Sequence, residues 1–199
     1  SWITFHWLNL FSAFSLRCFF RLRGENIENL PAGACILAPN HQSYLDSLFI
    51  MAFLKRRVLR DTFFYAKAEH VRRWWQRFMA QRHNIIVMDI NKDLKLSLQK
   101  LAEVLKKGKK VIIFPEGTRS LDGKLGDFKH SFAILGRELG VPIVPVAVDG
   151  AYRALPRGKF FPRLFQKVNI SFLEPIYPGQ EDSYSTLSDK VYQALANKL

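Results

Sequence analysis

Short apolar runs and longer stretches of helical periodicity alternate along most of this 199-residue chain. The runs Ala34 to Ala38, Thr62 to Ala66, Asn84 to Met88, Lys110 to Phe114, Ile143 to Val148 and Val168 to Phe172 are too short for helices and rich in Val, Ile and Phe, which predicts strands. Between them the pattern predicts helices over Asp46 to Leu54, Glu69 to Gln81, Asp93 to Lys107, Phe128 to Leu139 and Ser185 to Asn197. In Asp93 to Lys107, Leu94, Leu98, Leu101, Ala102 and Leu105 recur at three and four. Cations fill the last turn there, and Gly108 stands where a left-handed residue ends a helix. Gly140 is placed in the same way after Leu139. Strands separated by helices imply an α/β fold, a mostly parallel mixed sheet covered by helices. The stretch between Val148 and Val168 carries neither period and is expected to be irregular.

Ahead of the first predicted strand, Trp2 to Leu22 is mostly apolar but holds His6, Asn9, Ser12, Ser15, Arg17 and Arg21, which is polar for a spanning helix. An N-terminal interfacial amphipathic helix fits better. Trp2, Phe5, Trp7, Phe11, Phe14, Phe19 and Phe20 would enter the acyl boundary, and Arg17, Arg21 and Arg23 would meet headgroup phosphates. A helix docked on the domain's own core and a truncated span are the alternatives. Gly24 to Gly33, with Asn26, Asn29 and Pro31, reads as a linker. The chain thus divides into a membrane-interface helix over residues 1–24 and a single domain over 25–199. Inside that domain, Glu69 to Gln81 sets Val71, Trp74, Trp75, Phe78 and Met79 among four arginines, a stripe that suits either core or a second membrane-contact face.

Composition narrows the partners. With 48% apolar and 24% charged residues the chain is globular, and a formal charge of +13 asks for an anionic partner. Nucleic acid, an acidic membrane surface and a phosphorylated substrate all qualify. The 14% aromatic content beside many cations favours the lipid headgroup boundary, and no nucleic-acid motif is present, so no nucleic acid is expected. Cys18 and Cys35 fall in apolar runs without metal-ligand spacing, which predicts two reduced, buried thiols in a cytosolic setting and no metal.

Candidate chemistry gathers at two strand ends. Directly after Ala34 to Ala38 comes Pro39-Asn40-His41-Gln42-Ser43-Tyr44-Leu45-Asp46. A carboxylate on one imidazole nitrogen fixes the tautomer and leaves the other nitrogen to take a proton from a substrate hydroxyl. His6, His70, His83 and His130 have no such carboxylate beside a strand end and read as surface or packing residues. The second stretch is Phe114-Pro115-Glu116-Gly117-Thr118-Arg119-Ser120. Gly117 permits close backbone approach, Thr118 and Ser120 offer hydroxyls, and Arg119 offers a planar fork for a phosphate. Glu116 would repel that phosphate unless Arg119 or a ligand hydroxyl takes its charge. Plain helix caps and a turn with an ion pair are the alternatives.

These residues carry a resemblance. Asn40-His41-Gln42-Ser43 with Asp46, the seven residues from Phe114 to Ser120, and Val141-Pro142-Ile143-Val144-Pro145-Val146 resemble the first, third and fourth motifs of the glycerolipid acyltransferases. The resemblance implies that His41 and Asp46 are the catalytic pair, that Ser43, Glu116, Gly117, Thr118 and Arg119 belong to the acceptor site, and that Pro142 lies on the acyl-chain side. It also implies transfer of a fatty acyl group from acyl-CoA or acyl-carrier protein, with no further cofactor, to the free hydroxyl of a lysophospholipid such as 1-acylglycerol-3-phosphate. Membrane phospholipids would be partners, at the cytoplasmic face of the cell membrane. Glycerol-3-phosphate or lysophosphatidylethanolamine is the alternative acceptor, and a non-catalytic membrane-binding module is the rival of another class. The second motif departs from the family pattern: after Asp89 comes Ile90 where the family has Arg, leaving Lys92 or Arg82 to substitute. The chain is also similar to acyltransferase domains fused to acyl-activating ligases, so a fused ligase domain in a longer chain is expected, which suits a first residue of Ser rather than Met.

Overall fold

The computed structural model describes residues 16–67, 84–88 and 94–199. In chain order the strands are β1 (Arg21–Glu25), β2 (Cys35–Pro39), β3 (Thr62–Lys67), β4 (Ile85–Met88), β5 (Lys110–Ile112), β6 (Ile143–Asp149) and β7 (Lys167–Phe172). The helices are α1 (Asp46–Met51), α2 (Arg56–Arg60), α3 (Leu94–Lys106), α4 (Ser131–Leu139), α5 (Ala151–Ala154) and α6 (Tyr184–Ala196).

A strand covered on both faces loses its polar alternation, and β2 and β6 are such strands: every residue of β2 is buried, as is β6 up to Val148. They form the middle of a seven-stranded sheet in the order β1-β7-β6-β2-β5-β3-β4. From β6 to β4 all neighbours are parallel, whereas β7 runs antiparallel to β6 and β1 runs parallel to β7. Successive residues then serve opposite faces. Cys35 and Leu37 join Val144, Val146 and Val148 under Phe49 and Ile50 of α1 and Ala151 and Ala154 of α5. Ile36 and Ala38 join Val111, Ile143 and Ala147 under Leu101 and Leu105 of α3, Phe132 of α4 and Leu187, Val191 and Leu195 of α6. The expected α/β sheet is therefore present, mixed and covered on both sides. Gly108 and Gly140 take the expected left-handed conformation, with φ of 74° and 61°.

Three expectations are corrected. Arg21 and Leu22 are not the end of a helix but lie in β1, whose alternating exposure hides an edge strand among charged residues. The domain bound expected at residue 24 therefore falls inside a strand, and Gly24 is no linker residue, because a Cβ there would overlap the Phe53 ring. Cys18 is exposed, while Cys35 is buried and its thiol is pushed up to about 11 by loss of solvent. Of the expected N-terminal helix, residues 16–19 are helical and Phe20 is buried against Phe49 rather than set at an acyl boundary, with 5.1 Å between ring centroids. Residues 1–15 and the Trp-rich helix over Glu69 to Gln81 lie outside the described residues. Among the described residues no helix is long and apolar enough to cross a membrane.

Candidate active site

Parallel pairing brings the carboxyl ends of β6, β2 and β5 to one edge, because Pro39 sits opposite Val146 and Leu37 opposite Ile112. A crevice at that edge is where open α/β sheets hold ligands. The loops leaving these three strands build the site.

Asn40 extends β2 by one surrogate residue. Its Nδ2 donates to the Val148 carbonyl at 2.9 Å and its Oδ1 accepts from the Val148 N–H at 2.7 Å, so a side-chain amide replaces the backbone pairing that ends here. Released from the sheet, the chain turns at His41. The imidazole Nδ1 lies 2.8 Å from Asp46 Oδ2, and the same oxygen accepts the N–H groups of Gln42 and Ser43 at 2.7 Å each. Asp46 is the first residue of α1 yet makes no cap bond to it, so the cap alternative loses. Its carboxylate caps the turn that carries His41. Asp46 is fully buried, and burial raises its carboxyl above the ordinary value, opposed by His41 and the two N–H donors. With Nδ1 engaged, Nε2 is the ring nitrogen left to a substrate, and the side chain is 20% exposed. The Phe114 ring stacks on the imidazole at 3.9 Å between centroids and 26° between planes, which shields one face from water.

The loop after β5 grips the backbone of the same histidine. Glu116 Oε1 accepts the His41 N–H at 2.7 Å, Glu116 Oε2 accepts the Gly126 N–H at 3.1 Å, and the Ser120 N–H donates to the His41 carbonyl at 2.8 Å. Glu116 is buried, and burial raises its carboxyl above the ordinary range despite those two donors. Its two oxygens hold backbone, which answers why a carboxylate stands beside an anion-binding arginine. Gln42 ties the site to the third loop, its Nε2 donating to the Gly123 carbonyl at 2.9 Å and its Oε1 accepting from the Tyr152 N–H of α5 at 3.2 Å.

Arg119 lies one residue before Ser120, and its guanidinium sits over the Tyr44 ring, 3.3 Å from the centroid. Burial lowers its proton affinity below the usual value, Arg157 adding to the effect and Tyr44 and Asp46 opposing it. Its Nη1 is buried without a hydrogen-bond partner, an orphan donor of the kind a ligand oxygen satisfies. Arg157, just beyond α5, donates from Nη1 to the Arg119 carbonyl at 3.1 Å and brings a second guanidinium to the loop. Gly117, at φ 66°, turns the chain beneath the Lys129 side chain, and Thr118 is exposed beside it.

His41, Asp46, Gly117, Thr118 and Arg119 all lie on the two loops that meet at this edge. Ser43 and Glu116 are at the site, but their polar atoms are engaged within the protein, Ser43 Oγ accepting the Leu45 N–H at 3.2 Å. Pro142 is not at the site. Its carbonyl accepts the Ile36 N–H at 2.9 Å, at the amino end of β6, so four residues of strand, about 13 Å, separate it from the edge where His41 lies. Tyr44, Phe114, Gln42 and Arg157 were not foreseen. The first three stand inside the two motifs, where the spacing gives them no role of their own; Arg157 lies in a stretch without any period. Asp89, Ile90, Lys92 and Arg82 are outside the described residues.

The model of the family described as Acyltransferase matches residues 21–149, the span that contains every loop described above except the one that bears Arg157. The chain belongs to the Acyltransferase family. A chloroplastic 1-acyl-sn-glycerol-3-phosphate acyltransferase of Brassica napus is 29% identical over 177 residues, which cover 87% of this chain and 50% of the relative. A 1-acyl-sn-glycerol-3-phosphate acyltransferase of Pseudomonas aeruginosa is 33% identical over 139 residues, covering 64% of this chain and 48% of the relative. Among solved structures, the 1-acyl-sn-glycerophosphate acyltransferase PlsC of Thermotoga maritima superposes with a TM-score of 0.75 at 29% identity, covering 89% of this chain and 70% of that one. This member of the family spans about half the length of the curated relatives it matches.

Proposed function

We propose that the protein is a membrane-surface O-acyltransferase that moves a fatty acyl group from an acyl thioester to the free hydroxyl of a lysophospholipid such as 1-acylglycerol-3-phosphate. The observation that carries this reading is the His41 ring, held at Nδ1 by the buried Asp46 carboxylate and open at Nε2, beside a guanidinium with an orphan donor. Relatives named as 1-acyl-sn-glycerol-3-phosphate acyltransferases support the choice of acceptor.

In this mechanism His41 Nε2 removes the acceptor's hydroxyl proton as the oxygen attacks the thioester carbonyl. The C–S bond breaks as the C–O bond forms, and the proton passes from Nε2 to the departing thiolate, which leaves as the free thiol. Asp46 stabilises the imidazolium formed in between. Arg119 and Arg157 hold the acceptor phosphate, the second guanidinium making up for the family's second-motif arginine, which the sequence replaces with Ile90. No acyl-enzyme is required.

The test is thioester consumption with a panel of acceptors and both CoA and carrier-protein donors. His41→Ala should fold normally and lose about 10²- to 10⁴-fold in turnover, the usual worth of a positioned base. A variant that kept most of its rate would remove His41 from the reaction. An unmodified chain that bound vesicles but consumed no thioester would favour a non-catalytic membrane-binding module.

A further inference from the structure

We propose that the loop joining α5 to β7, residues 158–165, is the element that seats this edge of the molecule on an anionic lipid bilayer; this rests on the membrane-surface reading above. Because β7 runs opposite to β6, with Asp149 opposite Asn169, the loop lies at the same sheet edge as His41. The chain enters β1 from that edge as well, Arg21 pairing with Lys167, and the Phe165 N–H donates to the Phe19 carbonyl at 2.6 Å.

The side chains of this loop are set against water. Phe160 and Phe161 are 92% and 89% exposed, and Phe165 and Leu164 are exposed beside them. Leu121, 75% exposed, belongs to the neighbouring loop. Phe19, whose carbonyl meets the Phe165 N–H, is exposed as well. The loop is built rather than slack: the Arg163 N–H donates to the Ala154 carbonyl at 2.7 Å, the Lys159 N–H donates to the Pro156 carbonyl at 3.2 Å, and Gly158 turns at φ 85°.

Charge selects the occupant. From Gly150 to Leu173 the sequence has no Asp or Glu, while Lys159 and Arg163 flank the two phenylalanines and Lys167 follows. Rings interleaved with cations on a projecting loop match a headgroup layer, where the rings reach the acyl boundary and the cations stay among phosphates. An acidic protein would match the cations alone and leave two projecting rings without a place. The edge that would be seated carries the active site, so a lysolipid could reach His41 without leaving the bilayer.

The experiment uses the full chain with vesicles of phosphatidylcholine and phosphatidylglycerol, and with vesicles of phosphatidylcholine alone. Changing Phe160→Ser and Phe161→Ser together should weaken partitioning onto the anionic vesicles by at least about tenfold. The pair Lys159→Glu and Arg163→Glu should do so on anionic vesicles and not on neutral ones. Both variants should turn over a short-chain, water-soluble thioester and acceptor at the unmodified rate, which also shows that they fold. An unmodified chain that binds neither vesicle overturns the membrane reading itself. If it binds anionic vesicles and the Phe variant binds equally, the loop proposal alone is overturned. Lost turnover of soluble substrates would put the loop inside the active site, and weaker binding of acyl-carrier protein with vesicle binding intact would make it a protein-docking loop; either result overturns the proposal.

Discussion

Glu116 is a buried carboxylate beside His41. The sequence suggests an acceptor-site carboxylate, but its oxygens accept the N–H groups of His41 and Gly126. Glu116→Gln leaves one acceptor and turns an NH2 toward the other donor, so the His41 backbone should shift by a fraction of an ångström. The expected result is a turnover lowered about tenfold or more with the acceptor's KM little changed, because misplacing a base by such amounts is felt in the transition state. A selective rise in acceptor KM would restore the acceptor-site role. The same variant reports on pH. Burial holds the Glu116 carboxyl above its ordinary 4.5, so the folded state keeps a proton that the unfolded chain has already lost. Its contribution to stability is full below the unfolded value and declines as pH rises through the folded one. Urea unfolding across that range should show the unmodified protein losing stability relative to Glu116→Gln, and parallel curves would clear Glu116 of the effect. His41 and Asp46, by contrast, were legible because their pairing spans five residues and needs one turn. The hold of Glu116 crosses 75 residues and ends on a backbone N–H, which no side-chain pattern records.

Elements were legible to the degree that local pattern and tertiary burial agree. The buried strands β2 and β6, α3 ending at Gly108 and α4 ending at Gly140 all follow from runs, period and a left-handed stop. Strand β1 did not, since Arg-Leu-Arg-Gly-Glu becomes a strand only through pairing with β7, far along the chain. Helix α5, one turn long, offers too few residues for a period to register. Between these extremes stands the junction of β2 and β6, where Asn40 continues the ladder with its own amide. Asn40→Ala would leave the Val148 N–H and carbonyl, in a strand whose Val148 side chain is fully buried, without partners. A loss of about 2 to 4 kcal/mol follows at the usual cost of unpaired buried backbone groups. Chemical denaturation should show a lower midpoint with an unchanged slope, whereas a loss under about 0.5 kcal/mol would mean that water repairs the ladder.

The whole molecule carries a formal charge of +13, which should govern how an anionic acceptor arrives and stays. The Arg157 guanidinium is bound to the Arg119 backbone carbonyl, and after burial its like charge also lowers the proton affinity of Arg119. A dianionic phosphate between them would relieve that repulsion and satisfy the orphan Nη1, so most of its binding free energy should be electrostatic. Raising ionic strength from about 0.05 M to about 0.5 M shortens the screening length from about 14 Å to about 4 Å. At saturating donor, the KM of a phosphate-bearing acceptor should then rise severalfold with turnover nearly constant, and an acceptor whose headgroup carries no net charge should show little change. Arg157→Gln should raise the same KM at low salt and flatten its salt dependence, because one of the two charges that the salt screens is gone. If both acceptors respond alike, the salt acts on the whole surface and not on this pair of arginines.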